Sequence, residues 1–479
     1  MPLSPSTELL ATIPAPMPGT NTTLELTTPS PPAPSASVES EQAATSPVAA
    51  MSATPITAPA ADAAATVPAK GTDLPARTSA PSQPTPFDLR ASTPLPMGAS
   101  SKATNHVAVA LPSAPMTEST PEVQAVATCA PRLPLPPAGA PAPVETFAQR
   151  DPEARSALVD ELGGSAETEK TVGRALEWLR RTQEPDGHWS SRAHESQVDA
   201  DGAMTGLALL SFLGAGHTHR EHGPYRATVE NAISWILSRA SANGDLRGAG
   251  SSADSMFGQT IAAVALCEAY AITRDPALAV TARRATDFVI AASRAPRNGR
   301  DADTAVLGWL IMTVESARRA GFEPPSDVFA SARTWLDTVA RPTARGQYAY
   351  RTGEAPSVGM TAEATFVQQI LGLATTEPRM EQSAQFLLSS PPRWNRDVPT
   401  HSWYYATLAL FQQQGEAWKS WNESLDPLLI EHQRTDGAFS GSWDPQDKWS
   451  RTCGRVYQTA ICTLSLEVYY RYRLKEPAE

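Results

Sequence analysis

The first third of the chain has almost no aromatic residues. Residues 1–150 contain only two of the 32 aromatic side chains, Phe87 and Phe147, and none of the 11 tryptophans. The same stretch holds 28 of the 44 prolines and only 16 charged residues. Such a composition cannot bury enough apolar surface to offset the entropy lost when the backbone is ordered. The sequence therefore predicts a disordered tail over residues 1–155, either a plain solvated segment or a docking segment for a partner protein.

Long basic runs and long apolar runs are also absent. The chain carries 39 Lys and Arg against 50 Asp and Glu, a net charge of −11, which argues against nucleic acid because phosphates require clustered cations. No apolar stretch reaches the ~18 residues of a membrane-spanning helix, and the first residues lack the pattern of a signal peptide. The four cysteines lie far apart in the sequence, which is typical of free thiols in a reducing compartment. These patterns predict a cytoplasmic protein and leave a peripheral association with a membrane open.

The remaining 329 residues carry a helical pattern. Apolar residues recur there at spacings of three and four, as at Ala175, Leu176 and Leu179, which is the spacing of one helix face. Gly, Pro and Asp-Gly separate the segments, and alternating β-branched runs are scarce. The pattern predicts an all-α domain with one sizeable core.

A repeat of roughly 50 residues organises this domain. Each unit contains a helix that begins with Thr followed by small or apolar residues, and each such helix follows another with an aromatic or aliphatic pair. The six threonines are Thr205, Thr260, Thr304, Thr361, Thr407 and Thr459. The second helix of each pair is apolar nearly all round, as buried helices are, whereas the first is amphipathic. Because no polar capping repeat stands at either end, a closed ring is favoured over an open solenoid. The sequence predicts an (α/α)6 toroid of six helix pairs over residues 160–475.

Two loops of the repeat share one motif. Residues 183–189 are Q-E-P-D-G-H-W, and residues 433–439 are Q-R-T-D-G-A-F. Gln can hydrogen-bond free backbone groups at a helix end, Gly permits a left-handed turn, and the aromatic ring packs across the helix terminus. The motif resembles the QW repeat of squalene–hopene cyclases and of the prenyltransferase and squalene-oxidase repeat family, including bacterial members without a settled activity. This resemblance implies a terpenoid cyclase-like toroid with a central cavity for an isoprenoid or other apolar ligand.

Class II terpene cyclases resemble the chain at a second place. That family has a D-x-D-D-T-A run whose middle Asp protonates an alkene in a dry cavity, and residues 300–305 here are R-D-A-D-T-A. When the two are aligned on Thr304, Asp303 matches the family, but Ala302 stands at the position of the acid. The resemblance therefore implies that the standard proton donor is missing, with Asp301 and Asp303 as the candidate catalytic residues. The alternative is that both aspartates cap the helix that follows.

Aromatic residues on the inner helices are the main candidates for ligand binding. Terpene cyclases line their cavities with aromatic faces, which attract carbocations; ordinary core packing is the alternative. Small inner-helix residues such as Gly206 and Gly308 predict space along the axis, which favours an apolar, isoprenoid-like partner. The predicted ligand-binding residues are Trp309, His401, Trp403, Tyr404, Tyr405, Arg455 and Tyr457.

The sequence gives no support to a metal or cofactor site. Protein prenyltransferases with this toroid bind zinc through Asp-x-Cys and His, but Gln458 and residues 403–405 occupy the matching positions here. The histidine cluster at residues 217–222 is interpreted as a solvated loop, and no phosphate-binding or dinucleotide motif is present.

Two other classes of function stay open. One is a non-catalytic binding or scaffold protein built on the toroid. The other is a carbohydrate-active (α/α)6 enzyme, which requires two inward carboxylates; Glu363 and Asp303 are the candidate pair.

Overall fold

A computed structural model describes residues 147–248, 256–294, 304–395 and 398–474. The helices in this part of the chain are α1 (Pro152–Glu161), α2 (Ala166–Thr182), α3 (Asp201–Gly214), α4 (Arg226–Arg239), α5 (Met256–Thr273), α6 (Pro276–Arg294), α7 (Thr304–Arg319), α8 (Ser326–Val339), α9 (Val358–Ile370), α10 (Pro378–Leu388), α11 (Thr400–Gln413), α12 (Gly415–Glu431), α13 (Lys448–Leu466) and α14 (Val468–Arg471). Two short strands, β1 (Ala340–Arg341) and β2 (Ala344–Tyr348), pair antiparallel. Residues 1–146, most of the predicted tail, lie outside the described residues.

Six helices form a closed inner ring. The helices α3, α5, α7, α9, α11 and α13 each pack on the next, and α13 packs back on α3. The intervening helices α2, α4, α6, α8, α10 and α12 lie outside, each against the inner helix that precedes it in the ring, with α2 against α13. The predicted all-α (α/α)6 toroid of six pairs is confirmed. The apolar character of the inner helices explains this arrangement, since α3 is buried from Gly202 to Gly214 and α5 from Phe257 to Ala271.

The repeated threonines hold the loops against the inner helices. The hydroxyl oxygens of Thr205 and Thr459 accept hydrogen bonds from the backbone N–H groups of Trp189 and Trp443, at 3.1 and 3.3 Å. Thr361 accepts one from the backbone of Tyr348 in the same way, at 3.0 Å. A hydroxyl on an otherwise apolar helix therefore pairs the backbone of the loop that leads into it.

The loop after α2 has the geometry that its motif predicts. The Gln183 amide donates to the carbonyls of Gly187 and Thr228, at 2.8 and 2.9 Å. Gly187 has a φ of 103°, and a Cβ atom there would collide with the backbone oxygen of Asn231 in α4. The Trp189 indole donates to the carbonyl of Leu179 at the end of α2, 2.8 Å away. The loop of one repeat thus packs on the outer helix of the next.

The corresponding loop after α12 corrects the sequence alignment. The Gln433 amide donates to the carbonyl of Gly441, not Gly437, and the indole of Trp443 donates to the end of α12. Phe439, the predicted packing residue, is 41% exposed, whereas Trp443 is fully buried. The predicted motif at residues 433–439 is therefore wrong in its glycine and its aromatic residue, because four extra residues precede the turn.

Gly441 also closes the ring of loops. Its φ is 95°, and a Cβ atom would collide with the backbone oxygen of Arg174 in α2. Gly244 and Gly346 approach the backbone oxygens of Arg284 in α6 and Arg379 in α10 equally closely. Four loops therefore make the same contact with the next outer helix, and the last of them reaches the first repeat.

The two ends of the domain meet across the other side of the ring. Helix α1 packs on α14. Arg150, which is 2% exposed, donates to Glu268 at 3.1 Å, to the carbonyl of Leu213 at 3.0 Å and to the carbonyl of Arg471 at 3.0 Å. The Arg471 guanidinium lies 3.4 Å from the same carboxylate. We call Arg150, Glu268 and Arg471 the clasp. Arg150, which lies inside the predicted tail of residues 1–155, thus bonds to helices of the ring, and the boundaries of tail and toroid stay a prediction.

One helix of the described residues, Met256–Thr273, has the length and hydropathy of a membrane span. Of this segment, 83% is buried within the fold, because it is an inner helix of the ring. This burial is typical of a core helix, and the cytoplasmic location stays a prediction.

Candidate functional site

Three of the predicted ligand-binding residues meet inside the ring, and a fourth, Tyr457, lies on a neighbouring inner helix. Trp309 on α7 lies 6.3 Å, ring to ring, from both Tyr404 and Tyr405 on α11, and these two tyrosine rings are 5.3 Å apart. Since α9 lies between α7 and α11 in the ring, these contacts cross its interior. Tyr457 on α13 is close enough to Tyr405 to add to the effect of burial, which raises the pKa of Tyr405 well above its usual value. We call Trp309, Tyr404, Tyr405 and Tyr457 the aromatic centre.

A carboxylate lies beside the aromatic centre. Glu363 on α9 is fully buried, and its Oε1 accepts a hydrogen bond from the backbone N–H of Gly308 at 2.9 Å. A side chain at Gly308 would collide with this carboxylate, so glycine is required for the approach. Burial raises the pKa of Tyr457, and the charge of Glu363 contributes to that rise. Sequence reasoning assigned Glu363 to a carbohydrate-active pair only. The sequence signal that could have revealed this buried position is a single Glu on a largely apolar helix.

Three polar atoms of the aromatic centre have no hydrogen-bond partner. They are Nε1 of Trp309 and the hydroxyl oxygens of Tyr404 and Tyr457. The hydroxyl of Tyr405 does have a partner, since it donates to Sδ of Met312 at 3.8 Å. The large majority of buried side-chain polar atoms in native proteins are paired. The three unpaired atoms of the aromatic centre are therefore unusual, and each could form a hydrogen bond with a ligand.

The interior of the ring is filled rather than hollow at this level. The four side chains of the aromatic centre are 0% exposed, so no water-sized space adjoins them. A Cβ atom on Gly206 would lie 2.8 Å from a methyl carbon of Ile261 on α5. Gly206 and Gly308 therefore allow neighbouring helices to approach, and the prediction that they leave space on the axis is wrong. The side chain of Ala305 lies outside the described residues.

His401 lies at the edge of the aromatic centre. Its ring is 5.1 Å from Tyr405 and stacks at 5.7 Å on Trp449. Burial lowers the pKa of His401 to about 4, so the imidazole is neutral at pH 7. Trp403 has its ring contact elsewhere, 6.2 Å from Trp394, which itself stacks on His432. Of these two predicted residues, His401 contacts the aromatic centre directly.

Arg455 makes its contacts away from the aromatic centre. Its Nε donates to Glu195 at 2.8 Å, and Nη1 donates to Ser442 at 3.0 Å and lies 2.6 Å from Asp444. The guanidinium covers the ring of Phe439 at 3.9 Å. Arg455 therefore joins the loop of the first repeat to that of the sixth, and the structure does not bring it into the aromatic centre.

The candidate catalytic residues Asp301 and Asp303, together with Ala302, lie outside the described residues. Helix α7 begins at Thr304, whose hydroxyl donates to the carbonyl of Ala349 at 2.9 Å. Of the proposed carbohydrate-active pair, Glu363 alone is described.

No group of three His, Cys, Asp or Glu side chains in the described ranges has the arrangement of a metal site. The histidine loop differs from the sequence expectation, because His219 is buried and pairs with Asp275 at 2.8 Å, while Arg220 lies 2.7 Å from the same carboxylate. These partners hold the pKa of Asp275 at about 2, against the opposing effect of burial. The loop is thus anchored by an ion pair instead of being solvated.

A pocket opens where three inner helices end. It is lined by Met312, Glu315 and Arg319 of α7, Phe366 of α9, Gln412 of α11 and by Tyr472. We call it the C-terminal pocket. Its free volume is about 20 Å³, enough for an ordered water but far below the ~300 Å³ of a small-molecule cavity.

Comparisons with known proteins find similar solved structures, all at low sequence identity. No family model matches the sequence, and no curated protein matches it significantly. Among solved structures, cellobiose 2-epimerase from Bacillus thermoamylovorans is 11% identical with a TM-score of 0.48, covering 65% of this chain and 99% of its own. A type II terpene cyclase from Scytonema is 13% identical with a TM-score of 0.43, covering 64% and 97%. The GH76A alpha-1,6-mannanase from Salegentibacter is 10% identical with a TM-score of 0.44, covering 63% and 98%. These proteins have different activities, so none of them assigns one to this chain.

Proposed function

We propose that the chain is a terpenoid cyclase-like repeat protein that binds an isoprenoid-like or other apolar molecule in its aromatic centre. One observation carries this proposal: the buried side chains of Trp309, Tyr404 and Tyr457, on three inner helices, keep three polar atoms without hydrogen-bond partners. Aromatic walls with a few unpaired polar groups are the usual composition of a small-molecule site. A ligand with an apolar body and a hydroxyl or similar group would use both.

The chemistry of the site favours binding over proton-initiated cyclisation. Aromatic faces stabilise positive charge, and the Glu363 carboxylate can orient a hydroxyl or balance a cation. The residue aligned with the proton donor of class II cyclases is Ala302, which carries no acid. We therefore propose a cyclase-like binding protein that lacks the standard proton-donor motif.

The second candidate function is a non-catalytic scaffold. The closed packing favours it, because the side chains of the aromatic centre are 0% exposed. A ligand can enter only if some of these side chains move. The two functions therefore differ in whether the interior opens.

Ligand binding is tested by extraction and by titration. We expect mass spectrometry of an organic extract of the purified full chain to show a bound apolar compound. In calorimetric titrations with farnesol, Trp309→Phe keeps an aromatic ring but removes the indole N–H, and should weaken binding about two- to tenfold, the value of one neutral hydrogen bond. Trp235→Phe on the outer helix α4 is the matched control and should bind like the parent.

The contrary result is equally clear. If extracts carry no apolar compound and farnesol gives no heat with the parent chain, the scaffold function replaces the proposal. Equal weakening by Trp309→Phe and Trp235→Phe would mean that binding occurs outside the aromatic centre.

A further inference from the structure

The C-terminal pocket is separated from the aromatic centre by one layer of side chains. Phe366 lines the pocket, and its ring lies 6.4 Å from Tyr405 and 6.2 Å from Tyr472. Met312 also lines the pocket, and its sulfur accepts the hydrogen bond from the Tyr405 hydroxyl. Two residues therefore contact the pocket on one side and the aromatic centre on the other.

This layer can move more easily than the rest of the interior. Methionine has three rotatable bonds and adapts its shape to its surroundings. Rotation of Phe366 and Met312 would join the pocket to the aromatic centre, because both side chains line the pocket and contact Tyr405.

Arginines line the pocket although the chain has a net charge of −11. Arg319 and Arg473 are among its lining residues, and Arg318 precedes Arg319 on α7. The Glu315 carboxylate, which also lines the pocket, pairs with both Arg318 and Arg319, at 2.8 and 3.0 Å. The ends of the three inner helices add a partial negative charge of about 0.5 each. These negative groups offset much of the positive charge, so binding of an anion depends on hydrogen-bond donors rather than on net charge.

Arg319 keeps donors for a ligand. Its Nε donates to Glu315, and its guanidinium lies 5.4 Å from the centre of the Tyr472 ring. Its two Nη nitrogens make no hydrogen bond to any described residue, and its side chain is only 18% exposed. A half-buried guanidinium with unused N–H groups is suited to bind a carboxylate or a phosphate.

We propose that the C-terminal pocket is the entrance to the aromatic centre and that Arg319 holds the anionic head group of an amphipathic ligand there. The apolar chain of this ligand passes Phe366 and Met312, while the carboxylate or phosphate stays at the rim. The part of this inference that concerns the apolar chain rests on the proposed function. The part that concerns the head group rests on Arg319 alone.

Three ligands with one hydrocarbon chain test the head group. Farnesyl phosphate, farnesoate and farnesol are titrated into the full chain by calorimetry. We expect at least one of the two anions to bind about tenfold or more tightly than farnesol, and its identity distinguishes phosphate from carboxylate. Arg319→Gln should reduce that anion to the affinity of farnesol. Arg318→Gln removes the same charge and the other partner of Glu315 but does not line the pocket, so it should keep most of the preference.

A second pair of variants tests the entrance. Ile370 lines the mouth and is half-buried, so Ile370→Trp should narrow it and slow association of all three ligands about tenfold in stopped-flow fluorescence. Val280→Trp, on the outer helix α6 at a position 40% exposed, is the matched control and should associate like the parent.

Each failure has a distinct meaning. An anion preference that survives Arg319→Gln overturns the head-group site, and an unchanged association rate in Ile370→Trp overturns the entrance. If the parent chain binds none of the three ligands, the proposed function fails with the inference. If farnesol binds and neither anion binds more tightly, the inference alone fails.

Discussion

The two sides of the ring are closed by different chemistry. On the side where the inner helices begin, the loops close it, because glycines such as Gly187 and Gly441 press against the backbone of the next outer helix. On the side where the inner helices end, the clasp closes it through charges, since Arg150 and Arg471 both bind Glu268. The first device belongs to the repeat and recurs in four loops. The second joins segments that precede and follow the repeats to Glu268 on α5.

The stability of the ring should therefore depend differently on the contacts of its two sides. The glycine contact recurs in four loops, so the loss of one copy leaves three others in place. The clasp exists once, and it buries charges that are costly without their partners. We therefore expect the clasp to be the more vulnerable of the two, and the following predictions compare them in order of expected effect.

The largest effect is expected at the clasp. Arg150→Ala should lower the free energy of unfolding by about 3–5 kcal/mol, because it leaves the buried Glu268 with an incomplete set of partners. Arg180→Ala, which removes an exposed pair with Glu177, should leave the free energy of unfolding nearly unchanged, because solvent screens exposed ion pairs. Urea unfolding followed by circular dichroism measures both. Equal effects of the two substitutions would show that the clasp does not stabilise the ring.

A smaller loss is expected in the loops. Gly441→Ala should cost about 2–5 kcal/mol, because the residue has a φ of 95° and its new methyl group would meet the backbone of Arg174. Gly437→Ala in the same loop should cost about 1–2 kcal/mol, since its φ is also positive, at 57°, but nothing lies within 4 Å of the new atom. Urea unfolding of both variants gives the ranking. The opposite ranking would restore the sequence alignment of residues 433–439.

The smallest effects depend on pH and differ between the two sides. Burial lowers the pKa of His401 to about 4, so the unfolded chain binds more protons between pH 6.5 and pH 4. Stability should fall by up to about 3 kcal/mol as pH drops through this window, and His401→Gln should reduce that slope. Part of the pH dependence should remain in this variant, because the pKa of His217 is also lowered to about 4.

Glu467, near the clasp, should act in the other direction. Burial raises the pKa of its carboxyl well above the usual value, so its contribution to stability is complete below pH 4.5 and is lost as pH rises through the raised pKa. Glu467→Gln keeps the shape and should flatten this loss. Thermal unfolding of both variants and the parent across the pH range checks the two signs; a slope unchanged by either substitution contradicts the corresponding assignment.

The candidate site was partly accessible from the sequence. Four aromatic residues were predicted to face inward, and all four lie on inner helices: Trp309, Tyr404, Tyr405 and Tyr457. An aromatic residue on a helix that is apolar all round is buried whichever way it points. Their role in ligand binding stays a prediction. Arg455 was predicted to lie with them because it is two residues from Tyr457 in the sequence. In the structure Arg455 pairs with Glu195 instead. The helix is kinked at the preceding residue, Gly454, whose φ is 87°.

The sequence by itself determined the six helix pairs and which helix of each pair lies inside. That information is local, since an apolar face depends on residues three and four apart. Only the tertiary structure decided that Trp443 and not Phe439 packs against α12, that Gly206 and Gly308 bring helices together, and that Arg150 belongs to the fold. Arg150 donates to the carbonyl of a residue 321 positions further along the chain. Such contacts exist only once the ring has closed, and no periodicity in the sequence encodes them.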